Sequence, residues 1–334
     1  MLNRTNLALI LNQLIAPRIS NTLNSTVPSL ARVPKTIGAG KNLAWKAKLA
    51  RGSSAGSFAS GATIAGDDDR VKRPAILEWK LNKAEFSVAL DAIAMHASEG
   101  ATGMANAFME EIMDAQEDLA VELGRQFWAD GTGNGGLDLD GMLAIAANTG
   151  SYAGLSRATY SSWQAQVLGN SGTARALTEA LMAQLETLLF TAKGRKPTRI
   201  VTTPAIYKKY EALFTATTRL QTMGNDPTYN LGAKELTYKG IPIERDHMCP
   251  AEHMFMEIEG ALEFVQLKPV DMLEGFKFSQ MDTLKTADGA VGLQVAIDIL
   301  DRKGDSIDGY VKVYGNLKCT DPARIGVITD IDES

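Results

Sequence analysis

The run His247-Met248-Cys249-Pro250-Ala251-Glu252-His253 holds the densest group of metal-ligating residue types in the chain. A tetrahedral zinc site needs three or four ligands, usually as two matched pairs, and no second pair stands elsewhere in the sequence. A loop without metal is expected there. Glu110, Asp114 and Glu117 recur at steps of four and three, so a helix would place them on one face where they could line a cation site. A di-metal carboxylate bundle would also need Glu-x-x-His pairs on partner helices, and none occurs. A solvated acidic face is expected instead.

The glycine-rich run from Asp130 to Gly136 invites two further readings. A phosphate loop follows a strand and opens a helix, whereas this run closes a helical pattern. As a calcium loop, Asp130, Thr132, Asn134 and Gly135 stand at its first, third, fifth and sixth positions, but Gly141 occupies the place of the bidentate glutamate. A helix stop and a turn are expected. Only His96, His247 and His253 could serve as histidine acid-base groups. No nucleophile elbow, Walker loop or dinucleotide fingerprint occurs in its structural context. No catalytic, cofactor-binding or metal residue is therefore assigned, and the chain reads as a non-enzyme.

The elements around these groups are easier to read. From Ala101 to Asp130 the apolar residues Phe108, Ile112, Ala115, Leu119, Leu123 and Phe127 recur at three and four, which predicts one amphipathic helix about 40 Å long. Residues 1–38 form a proline-punctuated arm, with one or two amphipathic turns (Leu7, Ile10, Leu11, Leu14) followed by Pro17, Pro28 and Pro34. Residues 39–80 carry the most biased stretch, RGSSAGSFASGATIAG and then Asp67, Asp68 and Asp69. Two readings are open, a disordered linker or a long two-legged hairpin with a flexible tip. The flanking tryptophans and the alternation of Phe86, Val88 and Leu90 with Glu85, Ser87 and Ala89 favour extended legs.

A second amphipathic helix is expected over Thr173–Ala192, on the stripe Leu177, Leu181, Leu185, Leu188 and Leu189. KGRKPTRIVTTPAIYKKYEALF then parses as a stop at Gly194, a strand at Arg199–Thr202, and a helix capped by Thr203 with Pro204 at its first position. That is an α/β unit. Short strands are expected at Gly240–Glu244 and Met254–Glu257, with a polar loop between Leu213 and Leu236. The last third reads as mainly β, with strands at Val291–Asp301, Gly309–Tyr314 and Ala323–Ile331.

The 334 residues are 45% hydrophobic and 22% charged, which excludes global disorder. The formal net charge of -5 argues against a dedicated nucleic-acid binder, whose affinity comes from Lys and Arg on phosphates. Cys249 and Cys319, 70 positions apart, make no disulfide framework and suit a reduced cytoplasm. The apolar run Leu7–Ile15 is too short to span a bilayer, and no membrane anchor is expected.

The order of elements resembles the major capsid proteins of tailed bacteriophages with the Hong Kong 97 fold. The resemblance rests on the proline-punctuated arm, the extended loop at about Trp45–Trp79 and the long helix ending RQFWADGTG. It continues through GMLAIAANTG, SYAGLSRATYSSWQ, RKPTRIVTTPAIYKKYEALF, KGIPIERD and the β-rich tail. It implies an α+β Hong Kong 97-like fold with an N-terminal arm (1–38), an extended loop (39–80) and a peripheral domain holding the spine helix (81–139). An axial α/β domain (140–250) and a β-rich return to the peripheral domain (251–334) complete it.

The implied function is a structural subunit. It would assemble as hexamers and pentamers into the icosahedral head of a tailed phage around double-stranded DNA, without sequence-specific DNA binding and without a membrane. Localisation would be the virion, with assembly in the host cytoplasm. Copies of the chain itself, a portal, decoration proteins and a scaffolding protein would be its partners. Relatives with a fused scaffolding segment carry about a hundred residues before the arm; here a separate scaffolding protein is expected. Some relatives crosslink a loop lysine to a neighbour's asparagine. Lys46, Lys48 and Lys72 lie in or near this loop, but no matching motif carries that chemistry over, so no crosslinking is expected. An encapsulin-like nanocompartment shell, and an unrecognised soluble α/β enzyme, are the alternatives. Removing Gly52–Gly66 is expected to leave the subunit folded and to weaken assembly.

Overall fold

The computed structural model describes residues 28–50, 52, 56–57, 59–61, 70–89, 101–213, 236–268, 284–285, 290–300 and 305–334, the side chains of 28 and 101–107 excepted. The amphipathic turn at Leu7–Leu14, His96, most of the small-residue tip with its aspartate run, Leu90, and the polar loop beyond Leu213 lie outside the described residues. In chain order the main elements are α1 (Pro28–Arg32), β1 (Lys35–Ile37), β2 (Leu43–Lys48), β3 (Lys72–Leu77), β4 (Lys80–Ala89) and α2 (Ala101–Trp128). There follow β5 (Ser151–Tyr152), β6 (Leu155–Ser156), β7 (Gln166–Leu168), α3 (Glu179–Lys193), β8 (Arg199–Thr202) and α4 (Pro204–Ala212). The series closes with β9 (Thr237–Tyr238), β10 (Ile241–Arg245), β11 (Met254–Glu257), β12 (Leu262–Gln266), β13 (Ala296–Ile299), β14 (Ser306–Cys319) and β15 (Ile325–Ile328). The fold is α+β.

The chain divides into two compact units, each discontinuous in sequence. Unit 1 comprises Met1–Leu43, Glu78–Met142 and Leu262–Lys318. Its sheet is organised on β14, which pairs antiparallel with β4 from Ser306 to Gly315 and with β13 from Gly309 to Lys312. β12 also joins β14, and β1 runs parallel to β12 at the edge. Phe86 and Val88 on β4 are buried while Glu85 and Ser87 are exposed, the alternation of a strand with one face against a core.

α2 packs on β4 through Phe108, Ile112, Ala115, Leu119, Leu123 and Phe127, each 3% exposed or less. The five large aliphatic or aromatic residues at 108, 112, 119, 123 and 127 contribute about 1.5–3 kcal/mol each against a fully exposed reference, an upper bound. Glycine at 309 lets the Phe86 ring lie against β14, since a Cβ there would stand 2.4 Å from Phe86 Cζ and 2.6 Å from the Asp298 carbonyl oxygen.

Unit 2 comprises Ala44–Leu77, Leu143–Ala261 and Cys319–Ser334. Its six-stranded mixed sheet has the order β7-β15-β11-β8-β10-β9, with β7 parallel to β15 and β8 parallel to β10. α3 packs against β7 and β15, and α4 against β10. Leu181, Met182, Leu185 and Leu189 from α3 meet Ile200, Ile243, Met254 and Ile328 from the strands in one apolar cluster. Thr203 caps α4 as its sequence predicts, its Oγ1 accepting the Ile206 N–H at 3.2 Å, with Pro204 opening the helix.

Two expectations need correction. The helix predicted over Thr173–Ala192 begins only at Glu179, because the Thr178 side chain caps it and residues before it are taken by the strand-like bridge between Arg175 and Ile331. The strand predicted over Val291–Asp301 shrinks to Ala296–Ile299. Upstream, the backbone of Gln294 bonds the side-chain oxygen of Gln266 at 2.9 Å instead of a neighbouring strand. β11 and β15, which both follow residue 250, pair with each other, and β11 also pairs with β8, so both belong to unit 2.

Candidate assembly surfaces

The turn that ends α2 is a polar clasp within unit 1. Arg125 holds Glu122 through Nε and Nη2, at 2.9 and 2.6 Å, and reaches Asp138 at 2.6 Å. Hydrogen bonding by Arg125 holds the Glu122 carboxyl below the usual carboxylate range. Gln126 Oε1 accepts the Leu139 N–H at 3.1 Å. Asn316 on β14 donates Nδ2 to Asp140 Oδ2 at 2.7 Å and to the Glu78 carbonyl at 2.9 Å, while its Oδ1 accepts the Asp140 N–H at 3.1 Å. Gly141 comes so close to the helix end that a Cβ would lie 2.3 Å from the Gln126 carbonyl oxygen and 2.6 Å from those of Phe127 and Ala129. Asp130, first position of the calcium-loop reading, accepts from Thr132 N at 3.0 Å and Thr132 Oγ1 at 2.7 Å, and so closes its own turn. The sequence marked this run as a stop; Asn316, 176 residues from Asp140, could not be seen as its partner.

The rest of α2 presents the expected acidic face. Glu110, Asp114, Glu117 and Asp118 are exposed, and Met113 and Val121 stand out beside them at 51% and 54% exposure. The potential metal ligands of α2 therefore point away from its packed side.

β2 and β3 form a two-stranded ribbon, so legs of the predicted hairpin are present. Leu43, Ala47, Leu49, Ala75 and Leu77 are buried, whereas Lys46, Lys48, Lys72 and Ile76 are exposed. The ribbon is tied to its own unit: Ile76 N donates to the Ala153 carbonyl at 2.9 Å, and Ser162 Oγ donates to the Leu49 carbonyl. Pro74 suits an edge position, where a missing N–H costs no ladder bond.

Beneath it Arg157, 2% exposed, caps the one-turn helix Met142–Ile145 from the side, donating to the carbonyls of Ala144, Ile145 and Thr149 at 2.6, 3.1 and 3.0 Å. Burial lowers its affinity for the proton, partly offset by the Tyr152 ring 5.8 Å from the guanidinium carbon. Nothing in LSRATY distinguishes a buried arginine from a surface one; its neighbours Tyr152 and Trp163 were the only hint.

The His247–His253 run is a turn of unit 2. Asp246 Oδ1 accepts the Met248 N–H at 2.9 Å, Cys249 is buried, and His253 Nδ1 lies 2.5 Å from the Ala251 carbonyl oxygen. Burial pushes the Cys249 thiol far above its usual range. Among the described residues no three His, Cys, Asp or Glu side chains group to hold a metal, and no helix is long and apolar enough to cross a membrane. A further charge cluster lies on the unit 2 sheet, where Arg199 stands 3.1 Å from Glu244 and 3.8 Å from Glu257. Full burial raises the Glu257 pKa despite that cation.

No known protein-family profile matches the sequence, and neither does any curated protein. Solved structures do match. The subunit in the capsid asymmetric unit of cyanophage A-1(L) superposes with a TM-score of 0.68 at 23% identity, over 91% of this chain and 93% of that one. The chain has the fold of tailed-phage capsid subunits, the Hong Kong 97-like fold. A Mycobacterium phage Bobi chain aligns over 100% of both chains at a TM-score of 0.56 and 9% identity. The SrpI encapsulin of Synechococcus elongatus aligns over 92% of this chain and 88% of its own at 0.51 and 9%. Phage capsid subunits are thus the stronger structural match.

Proposed function

We propose that this chain is the repeating subunit of an icosahedral phage head, a structural protein that assembles as hexamers and pentamers around double-stranded DNA. The observation that carries the reading is the superposition on the cyanophage capsid subunit over 91% of the chain. The physical design supports it. A thin shell offers little core per subunit, so stability comes from interfaces large enough to hold copies together, and the acidic chain suits a container that packages DNA without adhering to it. Residues 1–38 would be the arm and 39–80 the extended loop; the rest of unit 1 would be the peripheral domain and the rest of unit 2 the axial domain. The virion is its location, following assembly in the host cytoplasm, and a portal, decoration proteins and a separate scaffolding protein are its further partners. No lysine crosslink forms.

Negative-stain microscopy of the purified full chain tests this reading: closed shells are expected, and a small monodisperse oligomer would favour a soluble enzyme instead. Nuclease-protected DNA inside particles made in infected cells separates a phage head from an encapsulin-like compartment, which would hold protein cargo. Denaturing gel electrophoresis of the shells should give monomer only, and a ladder would contradict the absence of crosslinks.

A further inference from the structure

The chain holds a single Asn-Gly pair, Asn134-Gly135, in the helical turn Gly133–Gly136 that follows α2. Asn134 is exposed, and its carboxamide makes no hydrogen bond among the described residues. The Gly135 N–H is also unbonded among them: the backbone bonds of the turn run from Gly136 to Thr132, at 3.2 Å, and from Leu137 and Asp138 to Gly133. A Cβ at 135 or 136 would meet no atom within 4 Å, so the space beside that nitrogen is open. Other asparagines are better protected. Asn316 is fully buried and bonds Asp140 and the Glu78 carbonyl, and Asn170 donates Nδ2 to the Thr173 carbonyl at 2.7 Å. Asn42 and Asn148 precede Leu43 and Thr149, whose side chains flank the next backbone nitrogen.

We propose that Asn134 is a site of spontaneous deamidation, converted through a cyclic imide to aspartate and isoaspartate with water as the only co-reactant. The Gly135 nitrogen, on losing its proton, attacks Asn134 Cγ. The new N–C bond closes a five-membered succinimide, and the Nδ2 group leaves as ammonia. Water then adds at one of the two ring carbonyl carbons. Opening at Cγ gives aspartate; opening at the backbone carbonyl breaks the original peptide bond and gives isoaspartate, in which the chain runs through the former side chain. One water is consumed and one ammonia released, and nothing is oxidised or reduced.

Ring closure asks for a rotation. Asn134 sits at φ 49° and ψ 41°, a left-handed conformation that asparagine tolerates, and ψ must swing to bring the Gly135 nitrogen to Cγ. Glycine at 135 and 136 has no side chain to hinder that swing. Either product makes the formal net charge of -5 one unit more negative, in a run that already holds Asp130 and Asp138. Isoaspartate also lengthens the backbone by one carbon, between the Gly136 carbonyl that Lys80 Nζ holds at 2.5 Å and the end of α2. The clasp that Arg125 makes with Asp138 is the part it disturbs.

Peptide mapping of the full-length chain, aged in warm buffer made with heavy-oxygen water, tests the site. The tryptic peptide Gln126–Arg157 should gain one labelled oxygen at residue 134, as isoaspartate and aspartate together. Conversion should quicken about tenfold per unit between about pH 7 and pH 9, because the attacking nitrogen must be deprotonated. Gly135→Ala should keep the circular dichroism spectrum and slow conversion at least about tenfold, since its methyl stands beside that nitrogen. Asn134→Gln should leave the peptide unchanged over the same period.

The proposal is wrong if Asn134 stays intact in the folded chain while the urea-unfolded chain converts, or if neither converts. It is also wrong if Asn148 or Asn170 converts as fast, if Gly135→Ala ages at the wild-type rate, or if aspartate forms with no isoaspartate. Each measurement is made on the unassembled chain, so none of these outcomes touches the shell reading.

Discussion

α2 and α3 bury similar stripes of leucine and aromatic or methionine side chains but turn very different faces outward. Beyond its buried side α2 shows Glu110, Asp114, Glu117 and Asp118, whereas α3 shows Ala180, Gln184, Thr187 and Phe190 with one carboxylate, Glu179, in its first turn, and Glu186 is drawn down into an ion pair with Lys239 at 2.6 Å. The inner faces answer to the same requirement, removal of apolar area from water. The outer faces do not. Ionised carboxylates resist burial unless paired, so the α2 face stays in water or meets cations. Beyond its first turn the outer face of α3 is uncharged and carries less of that restriction. The packed side of each helix therefore answers to stability, and the outer side is free to differ.

Truncation on the inner faces should have the largest effects. Phe108→Ala is expected to cost about 3–5 kcal/mol and Leu185→Ala about 2–5 kcal/mol. Hydrogen exchange should report the first loss in unit 1 and the second in unit 2; protection lost equally in both units by either change would break the division between them. Arg157→Met should cost about 3 kcal/mol, since three buried carbonyls lose their donor while the volume is nearly kept, with the loss confined to unit 2 in the same exchange experiment. Gly141→Ala should cost about 1–3 kcal/mol by forcing the clasp away from the end of α2, seen as faster exchange over residues 123–128.

A smaller effect of opposite sign is expected from Glu257→Gln. The folded state holds the Glu257 proton more tightly than the unfolded chain, so in the window above the ordinary glutamate pKa the wild type loses stability as pH rises. The glutamine variant lacks that slope and should be the more stable protein at pH 7 in denaturant titrations. If its curve parallels that of the wild type between pH 5 and 7, Glu257 is ionised throughout and Arg199 satisfies it. Smallest of all, Glu117→Gln on α2 and Thr187→Ala on α3 should each move subunit stability by no more than about 0.5 kcal/mol. A larger change in the isolated subunit would mean that those faces already serve its fold.

Local signals were legible in the sequence because they are local. The α2 stripe, its glycine stop, the Thr203–Pro204 helix start and strand β8 each depend on residues within a few positions of one another. The partners of these elements depend on topology, which periodicity does not encode. β14 reads as a short alternating strand at 309–314, yet it runs from Ser306 to Cys319 because β4, over 200 residues earlier, lies alongside it. Asn316 and Arg157 escaped notice for the same reason. Each is a polar residue of ordinary surroundings in sequence, and its importance comes from carbonyls and carboxylates that only the fold brings near. The acidic face of α2 was legible in composition and ambiguous in meaning, since a metal site and an open surface demand the same residues.

Strand order has a consequence for the growing chain. β15 lies between β7 and β11, and β14 is the strand on which the unit 1 sheet is organised. A polypeptide emerging from the ribosome N-terminus first holds β4, β7 and β11 each with one eventual partner still unmade, and neither sheet closes before residues 306–328 have been released. Open edges recruit other chains, so the interval favours chaperones or early burial by companion proteins. It also works as a check on completeness: a chain broken off before that point has no finished core in either unit.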